Sequence, residues 1–187
     1  RTIIFAYLKR GHVLFPGAEL SGENDVIDIG IPKELPQKHQ VQLRQIGAAE
    51  RPTGLPPRPR NCHKGDFGHV GVWAGSKSSP GAAILALEGA LRAGAGLVSW
   101  AVTEPLFLSG PTWPIEAMLR WLDKAQDDEE WQDILVRGTT TLVVGPGLEF
   151  SEESKSRFKA LLTQYQGTIV LDAEALNLIA SDNLDMG

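Results

Sequence analysis

The sequence is poor in cysteine and has neither long apolar runs nor an excess of basic residues. A single cysteine, Cys62, excludes an intrachain disulfide bond and fits a reducing compartment. No uninterrupted apolar stretch approaches the length that crosses a bilayer, and the N-terminal residues lack the pattern of a secretory signal. The net charge of −5 gives no electrostatic reason to bind nucleic acid or an anionic membrane. We therefore expect a cytoplasmic protein with neither of these partners.

Several common catalytic patterns are also missing. No serine lies in a Gly-x-Ser-x-Gly setting, which argues against the usual hydrolase elbow. His63 and His69 have no cysteine or histidine at metal-ligand spacing, so we do not predict a zinc site. The acidic cluster at 127–130, next to Trp131, is typical of a solvated helix face. The composition, 42% hydrophobic and 22% charged, is that of a soluble globular protein.

The second half of the sequence alternates predicted strands and helices. Apolar, β-branched runs such as the one at 141–144 suit strands that are covered on both faces, which favours a doubly wound, mainly parallel α/β sheet. The expected strands lie at 69–74, 97–103, 140–144 and 168–172, and the expected helices at 81–93 and 151–165.

The first 61 residues have a different pattern. Short apolar runs at 3–6 and 12–15, and an alternating run at 25–31, predict strands that are detached from the sheet to which they belong. Residues 34–61 are polar and rich in proline, so we expect a linker without persistent secondary structure. The chain is thus predicted to have three parts, 1–33, the linker 34–61, and 62–187, which holds the predicted sheet.

Glycine-rich loops follow or precede several predicted strands. The basic approach at 63–68 and the loop at 75–79 predict an anion site, because glycine lets backbone N–H groups come close to a charged ligand. The segments at 145–147 and 172–174 follow two other strands, and the carboxyl ends of such strands meet at one crevice. Asp172 and Asn177 could hold a sugar hydroxyl, a magnesium-bound water or a phosphate there. Two simpler alternatives stay open, namely glycines that only turn the chain and Asp172 as a helix N-cap.

Six separated segments together resemble one family, the ADP-dependent NAD(P)H-hydrate dehydratases. They are His63-Lys64-Gly65-Asp66-Phe67-Gly68-His69-Val70, Ala74-Gly75-Ser76, Pro80-Gly81-Ala82-Ala83, Arg92-Ala93-Gly94-Ala95-Gly96-Leu97-Val98, Gly145-Pro146-Gly147-Leu148 and Leu171-Asp172-Ala173-Glu174-Ala175-Leu176-Asn177. The order and the spacing of the segments match as well as the residues. Residues 1–33 resemble the tail of the NAD(P)H-hydrate epimerase domain, which precedes the dehydratase in bacterial bifunctional proteins.

The resemblance implies a ribokinase-like fold and a lyase that repairs hydrated nicotinamide cofactors, NADHX and NADPHX. A nucleotide, ADP or ATP, activates the ring hydroxyl with Mg²⁺, and elimination then restores NADH or NADPH. The implied epimerase part would use K⁺, and a homo-oligomer is a further possibility. The residues that match substrate-binding positions or line the same crevice are Ala82, Gly147, Asp172 and Asn177, with Lys64 as a neighbour of the nucleotide phosphates.

The sequence departs from the family pattern at two places. Glu149 breaks the form Gly-Pro-Gly-Leu-Gly and puts a carboxylate beside a loop that is expected near anions. The later Pro-His-x-Gly-Glu, Lys-Gly and Gly-Gly-x-Gly-Asp segments, the last with the expected catalytic aspartate, have no counterpart before Gly187. We therefore expect a truncated, inactive piece of a bifunctional enzyme. The alternatives are a ribokinase-like sugar or vitamin kinase and a non-catalytic nucleotide-binding module.

Overall fold

A computed structural model describes residues 1–41, 57–109 and 112–182 of the chain. The chain divides into two compact units, Arg1–Pro57 and Arg58–Gly187. The assignment of residues 1–33, 34–61 and 62–187 to an epimerase tail, a linker and a dehydratase part stays a prediction.

The first unit is built around a two-stranded parallel sheet. Its strands are β1 (Thr2–Phe5) and β2 (Asn24–Ile27), and its short helices are α1 (Arg10–Val13), α2 (Gly17–Ser21) and α3 (Leu35–Lys38). The two predicted strands at 3–6 and 25–31 therefore pair with each other. The second strand is shorter than predicted, since the N–H of Gly30 donates to Asp28 in a turn (2.8 Å) where Gly30 has φ +79°.

Two expectations for the first unit were wrong. The run at 12–15 is not a strand, because His12 lies in α1, where its ring accepts from the N–H of Lys9 (3.3 Å) and its own N–H donates to the carbonyl of Lys9 (2.9 Å). The expected linker is not entirely irregular, because α3 forms one helical turn within it. Proline in the first turn of α3 is compatible with that turn. The rest of the proline-rich stretch, 42–56, lies outside the described residues.

The second unit holds a five-stranded, entirely parallel sheet. Its strands are β3 (His69–Trp73), β4 (Leu97–Val102), β5 (Met118–Trp121), β6 (Thr141–Val144) and β7 (Thr168–Leu171), in the order β5-β4-β3-β6-β7. The helices are α4 (Pro80–Arg92), α5 (Glu104–Ser109), α6 (Asp128–Val136), α7 (Glu152–Gln164) and α8 (Glu174–Asp182). The strand order reverses at β3, which lies between β4 and β6. In such sheets ligands bind at the carboxyl ends of the strands beside this reversal.

Both faces of the sheet are covered at its centre, as the apolar strands predicted, whereas Val170 of the edge strand β7 is 48% exposed. Val72 packs on one face with Ala83 and Leu87 of α4, whereas Trp73 packs on the other face with Leu135 of α6 and Phe158 of α7. Neighbouring residues of a strand point to opposite faces, so β3 contributes to both cores. The prediction of a doubly wound α/β sheet is confirmed in the described residues.

The predicted elements of the second unit all form within one or two residues of their expected ends. The region between β4 and β6 is the part that the sequence did not predict, since α5 and β5 were not expected there. The acidic cluster was expected on a solvated helix face, and residues 127–129 are exposed. The cluster also opens α6, since the side chain of Asp127 accepts from the N–H of Glu130 (2.8 Å).

Candidate functional site

The loops that follow β3 and β6 lie against each other at the carboxyl edge of the sheet. The N–H of Gly75 donates to the carbonyl of Pro146 (2.8 Å). Gly147 has φ +66°, and a Cβ there would lie 2.7 Å from the Cβ of Ala82 and 2.8 Å from the carbonyl oxygen of Ser79. Only glycine permits both this conformation and this approach. The structure thus brings together Ala82 and Gly147, which are 65 positions apart.

The loop after β7 joins the same assembly. Gly145 has φ +122°, and a Cβ at this position would lie 1.9 Å from the carbonyl oxygen of Asp172. The N–H of Asp172 donates to the carbonyl of Val144 (3.1 Å), which extends the pairing of β6 and β7 by one bond. Three strand ends therefore meet at one place, as the sequence predicted for this rim.

A crevice of about 250 Å³ opens where these loops meet. Its walls are the loop after β3 (Ser76, Ser78 and Ser79), residues 147–149 after β6, and the start of α8 (Ala173, Glu174 and Asn177). The lining side chains include three hydroxyls, one amide and two carboxylates, and none of the lining residues is basic. This chemistry suits a ligand with hydroxyl and amide groups better than a bare phosphate.

The predicted residues occupy this rim in different ways. Gly147 and Asn177 line the crevice, Ala82 is half-buried beside Gly147, and Asp172 is exposed next to the crevice wall. The amide of Asn177 donates to the carboxylate of Glu174 (3.0 Å). The N–H of Ala175 donates to the backbone carbonyl of Asp172 (3.2 Å), so this contact of the helix start does not use the Asp172 carboxylate.

Lys64 does not lie in this crevice. It belongs to a short 3₁₀ turn whose backbone packs against Gly96, the residue before β4, at the amino ends of the strands. The five residues of β3 separate this turn from the loop that begins at Ala74. The basic approach and the glycine loop, which together suggested an anion site, are therefore at opposite ends of one strand.

Glu149 is the most distinctive polar residue of the rim. Its carboxylate accepts hydrogen bonds from the hydroxyls of Ser76 (3.2 Å) and Ser78, and these two hydroxyls are 3.0 Å apart. The sequence identified Glu149 as a departure that puts a carboxylate beside this loop. Glu149 is exposed, and its side chain joins the loops after β3 and β6. This contact leaves no local signal in the sequence, because the partners are more than 70 residues apart.

A second cavity of about 330 Å³ shares Ser76, Leu148 and Glu149 with the crevice. Its lining is largely apolar and includes Trp73, whose ring meets that of Trp131 edge to face with centroids 4.8 Å apart. Lys77 and Arg157 line this second cavity. The guanidinium of Arg157 is bound to Asp128 (2.7 Å) and to Glu153 (2.7 Å), so its charge is already compensated.

His69 is the buried titratable group of the sheet, and it lies away from the crevice at the start of β3. Its Nε2 is 2.7 Å from the hydroxyl of Ser99, which is fully buried. Burial lowers the pKa of His69, and the charge of Arg120 lowers it further. Since this pair lies inside the protein at the amino end of the sheet, we assign it a structural role.

The described residues contain no group of three or more histidine, cysteine, aspartate or glutamate side chains that could hold a metal ion. Among the same residues, no helix is long and apolar enough to cross a membrane.

The parallel sheet and its glycine-lined carboxyl edge define the class: this is an α/β protein of the ribokinase-like type. A solved ribokinase-like protein from Enterococcus faecalis superposes with a TM-score of 0.56 at 26% identity, covering 70% of this chain and 45% of its own. Residues 70–186 match the family described as NAD(P)H-hydrate dehydratase, and the chain belongs to this family. The resemblance found in the sequence is thus confirmed.

Two further proteins place the chain within the family. It is 37% identical to the bifunctional NAD(P)H-hydrate repair enzyme of Moorella thermoacetica, over 97% of this chain and 35% of the relative. It is 33% identical, with a TM-score of 0.51, to the ADP/ATP-dependent NAD(P)H-hydrate dehydratase of Bacillus subtilis, whose structure was determined with ATP and Mg²⁺; the match covers 65% of this chain and 43% of that one. The chain therefore spans about a third of the length of the bifunctional relative.

Proposed function

We propose that this chain is part of a bifunctional cytoplasmic enzyme that repairs NADHX and NADPHX. The dehydratase part removes water from the S hydrate at the expense of ADP or ATP, and an epimerase part, to which residues 1–33 contribute, interconverts the R and S hydrates. The observation that carries this proposal is the joining of Ala82, Gly147 and the start of α8 at one crevice. By the sequence resemblance, Ala82 and Gly147 correspond to substrate contacts of the family, and Asp172 and Asn177 to polar groups that line the same crevice.

The crevice suits the nicotinamide riboside end of the hydrate. Ala82 and Gly147 present little side chain toward the ligand, and larger side chains at these positions would fill the space between the two loops. The Asn177 amide and the neighbouring carboxylates can exchange hydrogen bonds with a carboxamide and with ribose hydroxyls. We propose that Asp172 lines the same rim without a role in proton transfer.

The nucleotide and its metal ion are not assigned to this crevice. The lining residues supply no basic side chain for the phosphates of ADP or ATP, and the described residues supply no metal-ligating cluster. Bound Mg²⁺ would offset charge on the transferred phosphoryl group. We infer that the nucleotide, Mg²⁺ and the catalytic base depend on segments that correspond to the rest of the family's domain. Lys64 lies at the amino end of β3, away from the crevice, so we do not carry it into the proposed nucleotide site, and K⁺ is proposed only for the epimerase part.

The test is to incubate the complete protein with ADP, Mg²⁺ and (S)-NADHX and to follow absorbance at 340 nm. We expect recovery of the NADH absorbance, and a G147V variant, whose side chain would meet Ala82 and Ser79, should lose it. No recovery, together with phosphorylation of a sugar or vitamin, would instead identify a kinase. Nucleotide binding without either reaction would identify a non-catalytic module.

A further inference from the structure

We propose that Glu149 is a positioning residue, which holds the loop after β3 and the loop after β6 in the arrangement that binds the hydrate. This inference rests on the proposed function, because it concerns binding at the same crevice. Both loops form walls of the crevice, so its shape depends on how firmly the two loops are held together. Glu149 joins them through the hydrogen bonds of its side chain.

The first step is that one carboxylate bonds to two hydroxyls of the other loop. The hydroxyl of Ser76, which belongs to a buried residue, donates to the carboxylate of Glu149 (3.2 Å). The hydroxyl of Ser78 donates to the same oxygen, and the two hydroxyls are 3.0 Å apart. Hydrogen bonds to a charged acceptor are stronger than those between neutral groups. A single side chain thus fixes two positions of the loop after β3.

The second step is that hydroxyls, rather than a cation, hold this carboxylate among the described residues. Lys77 and Arg157 line the adjoining cavity, as Glu149 does. The guanidinium of Arg157 is paired with Asp128 and Glu153 (both 2.7 Å). In the part of the chain that the structure describes, no ion pair includes Glu149 or Lys77. The connection between the loops therefore depends on the acceptor oxygen of the side chain.

The third step is that the held loop leads directly into the wall that faces Gly147. The N–H of Ser79 donates to the carbonyl of Ser76 (3.1 Å), and α4 begins at the next residue. The carbonyl oxygen of Ser79 and the methyl group of Ala82 are the atoms that a Cβ at Gly147 would meet. Releasing Ser76 and Ser78 from Glu149 would therefore loosen this wall.

The expected size of the effect follows from a second connection between the loops. The N–H of Gly75 donates to the carbonyl of Pro146 (2.8 Å), so the loops stay attached at their base without Glu149. Each bond to the exposed carboxylate favours joined loops by about tenfold, so a joined-to-parted ratio of about ten to one would fall to about one to ten without both bonds. The KM for the hydrate would then rise about tenfold, because only the joined fraction binds.

The experiment measures kcat and KM for (S)-NADHX, with ADP and Mg²⁺ in excess, in the complete protein and its variants. E149A removes the acceptor of both hydroxyls, so KM should rise about tenfold while kcat changes less than about twofold. E149Q keeps an acceptor oxygen on a side chain of the same length, and its KM should stay within about threefold of that of the unmodified protein. E88A is the matched control, because Glu88 is a carboxylate on α4, paired with Arg92 (3.0 Å), that does not line the crevice. It should leave both constants unchanged.

A double-variant cycle shows whether the effect passes through the two serines. The variant S76A/S78A should raise KM by a factor similar to that of E149A, and adding E149A to it should change KM by less than about twofold. Amide hydrogen exchange in the segment 75–79 is a second readout that requires no catalysis. E149A should speed this exchange severalfold and E149Q should not, since the amides become accessible when the loops part.

Other roles of Glu149 give different results. A general loss of stability would lower kcat through the amount of folded enzyme and leave KM unchanged. An effect of the Glu149 charge on the hydrate or on Lys77 would make E149Q as damaging as E149A. Either pattern, or an E149A effect that multiplies in full with that of S76A/S78A, overturns the positioning role while conversion of the hydrate keeps the proposed function. If the complete protein does not convert the hydrate, the proposed function is wrong and this inference fails with it.

Discussion

The contact between Gly147 and the start of α4 leads to a stability prediction. In the variant G147A, the new methyl group would lie 2.7 Å from the Cβ of Ala82 and 2.8 Å from the carbonyl oxygen of Ser79, at a residue with φ +66°. The left-handed conformation costs a non-glycine residue about 1 kcal/mol. Overpacking of a close contact adds about 1–3 kcal/mol. We therefore expect the free energy of unfolding to fall by about 2–4 kcal/mol.

A second substitution separates the cost of the left-handed backbone conformation from the cost of overpacking against Ala82. Removing the opposing methyl group in the double variant A82G/G147A relieves the contact with Ala82 but not the backbone conformation. The double variant should therefore be more stable than the sum of the two single changes predicts, by about 1 kcal/mol or more. The control is G89A in the same helix, because a Cβ at Gly89 meets nothing within 4 Å. Alanine there should stabilise α4 by about 0.5–1 kcal/mol.

Urea unfolding followed by tryptophan fluorescence is the assay. All five tryptophans of this chain lie in the unit that carries the crevice, so the signal reports that unit. If G147A unfolds at the same urea concentration as the unmodified protein, or if A82G adds its full cost in the double variant, Ala82 and Gly147 are not in contact. The account of the crevice would then be wrong.

Three further predictions concern the scaffold. Burial lowers the pKa of His69 below its usual 6.5, so below this pH the unfolded chain binds a proton more readily than the folded protein does. The free energy of unfolding should therefore be fully maintained above pH 6.5 and should fall as the pH drops below it. The urea midpoint of H69Q should lack this pH dependence. D127A removes the N-cap of α6 and should cost about 1 kcal/mol in urea unfolding, whereas an unchanged midpoint would contradict the cap. F158A deletes a fully buried ring and should cost about 3–5 kcal/mol; a smaller loss of thermal stability would mean that the core beside α7 is loosely packed.

The strands β3, β4, β6 and β7 could be predicted because each is a short, mainly apolar run. The strand β5 could not, since its four residues include Arg120. The guanidinium of Arg120 donates to the carbonyl of Ile134 (2.8 Å) at the end of α6. Such a contact with a distant helix leaves no local pattern in the sequence.

The candidate site, too, could be predicted only in part from the sequence. Parallel strands place their carboxyl ends at one edge, so the meeting of Gly147 with the loop after β3 could be expected from strand order. Lys64 was grouped with that loop because both are close in sequence to β3. A five-residue strand is roughly 16 Å long, however, and it separates the two segments. The bonds from Ser76 and Ser78 to Glu149 depend on the folded loops and could not be predicted.

The central claim is that the rim at Ala82, Gly147 and Asn177 holds the damaged nicotinamide. The most direct measurement is a crystal structure of the complete protein with bound NADHX. The account predicts the hydrated ring in the crevice, in contact with Ala82 and Gly147 and within hydrogen-bond distance of Asn177. A hydrate bound elsewhere on the protein, with this crevice filled only by water, would contradict it.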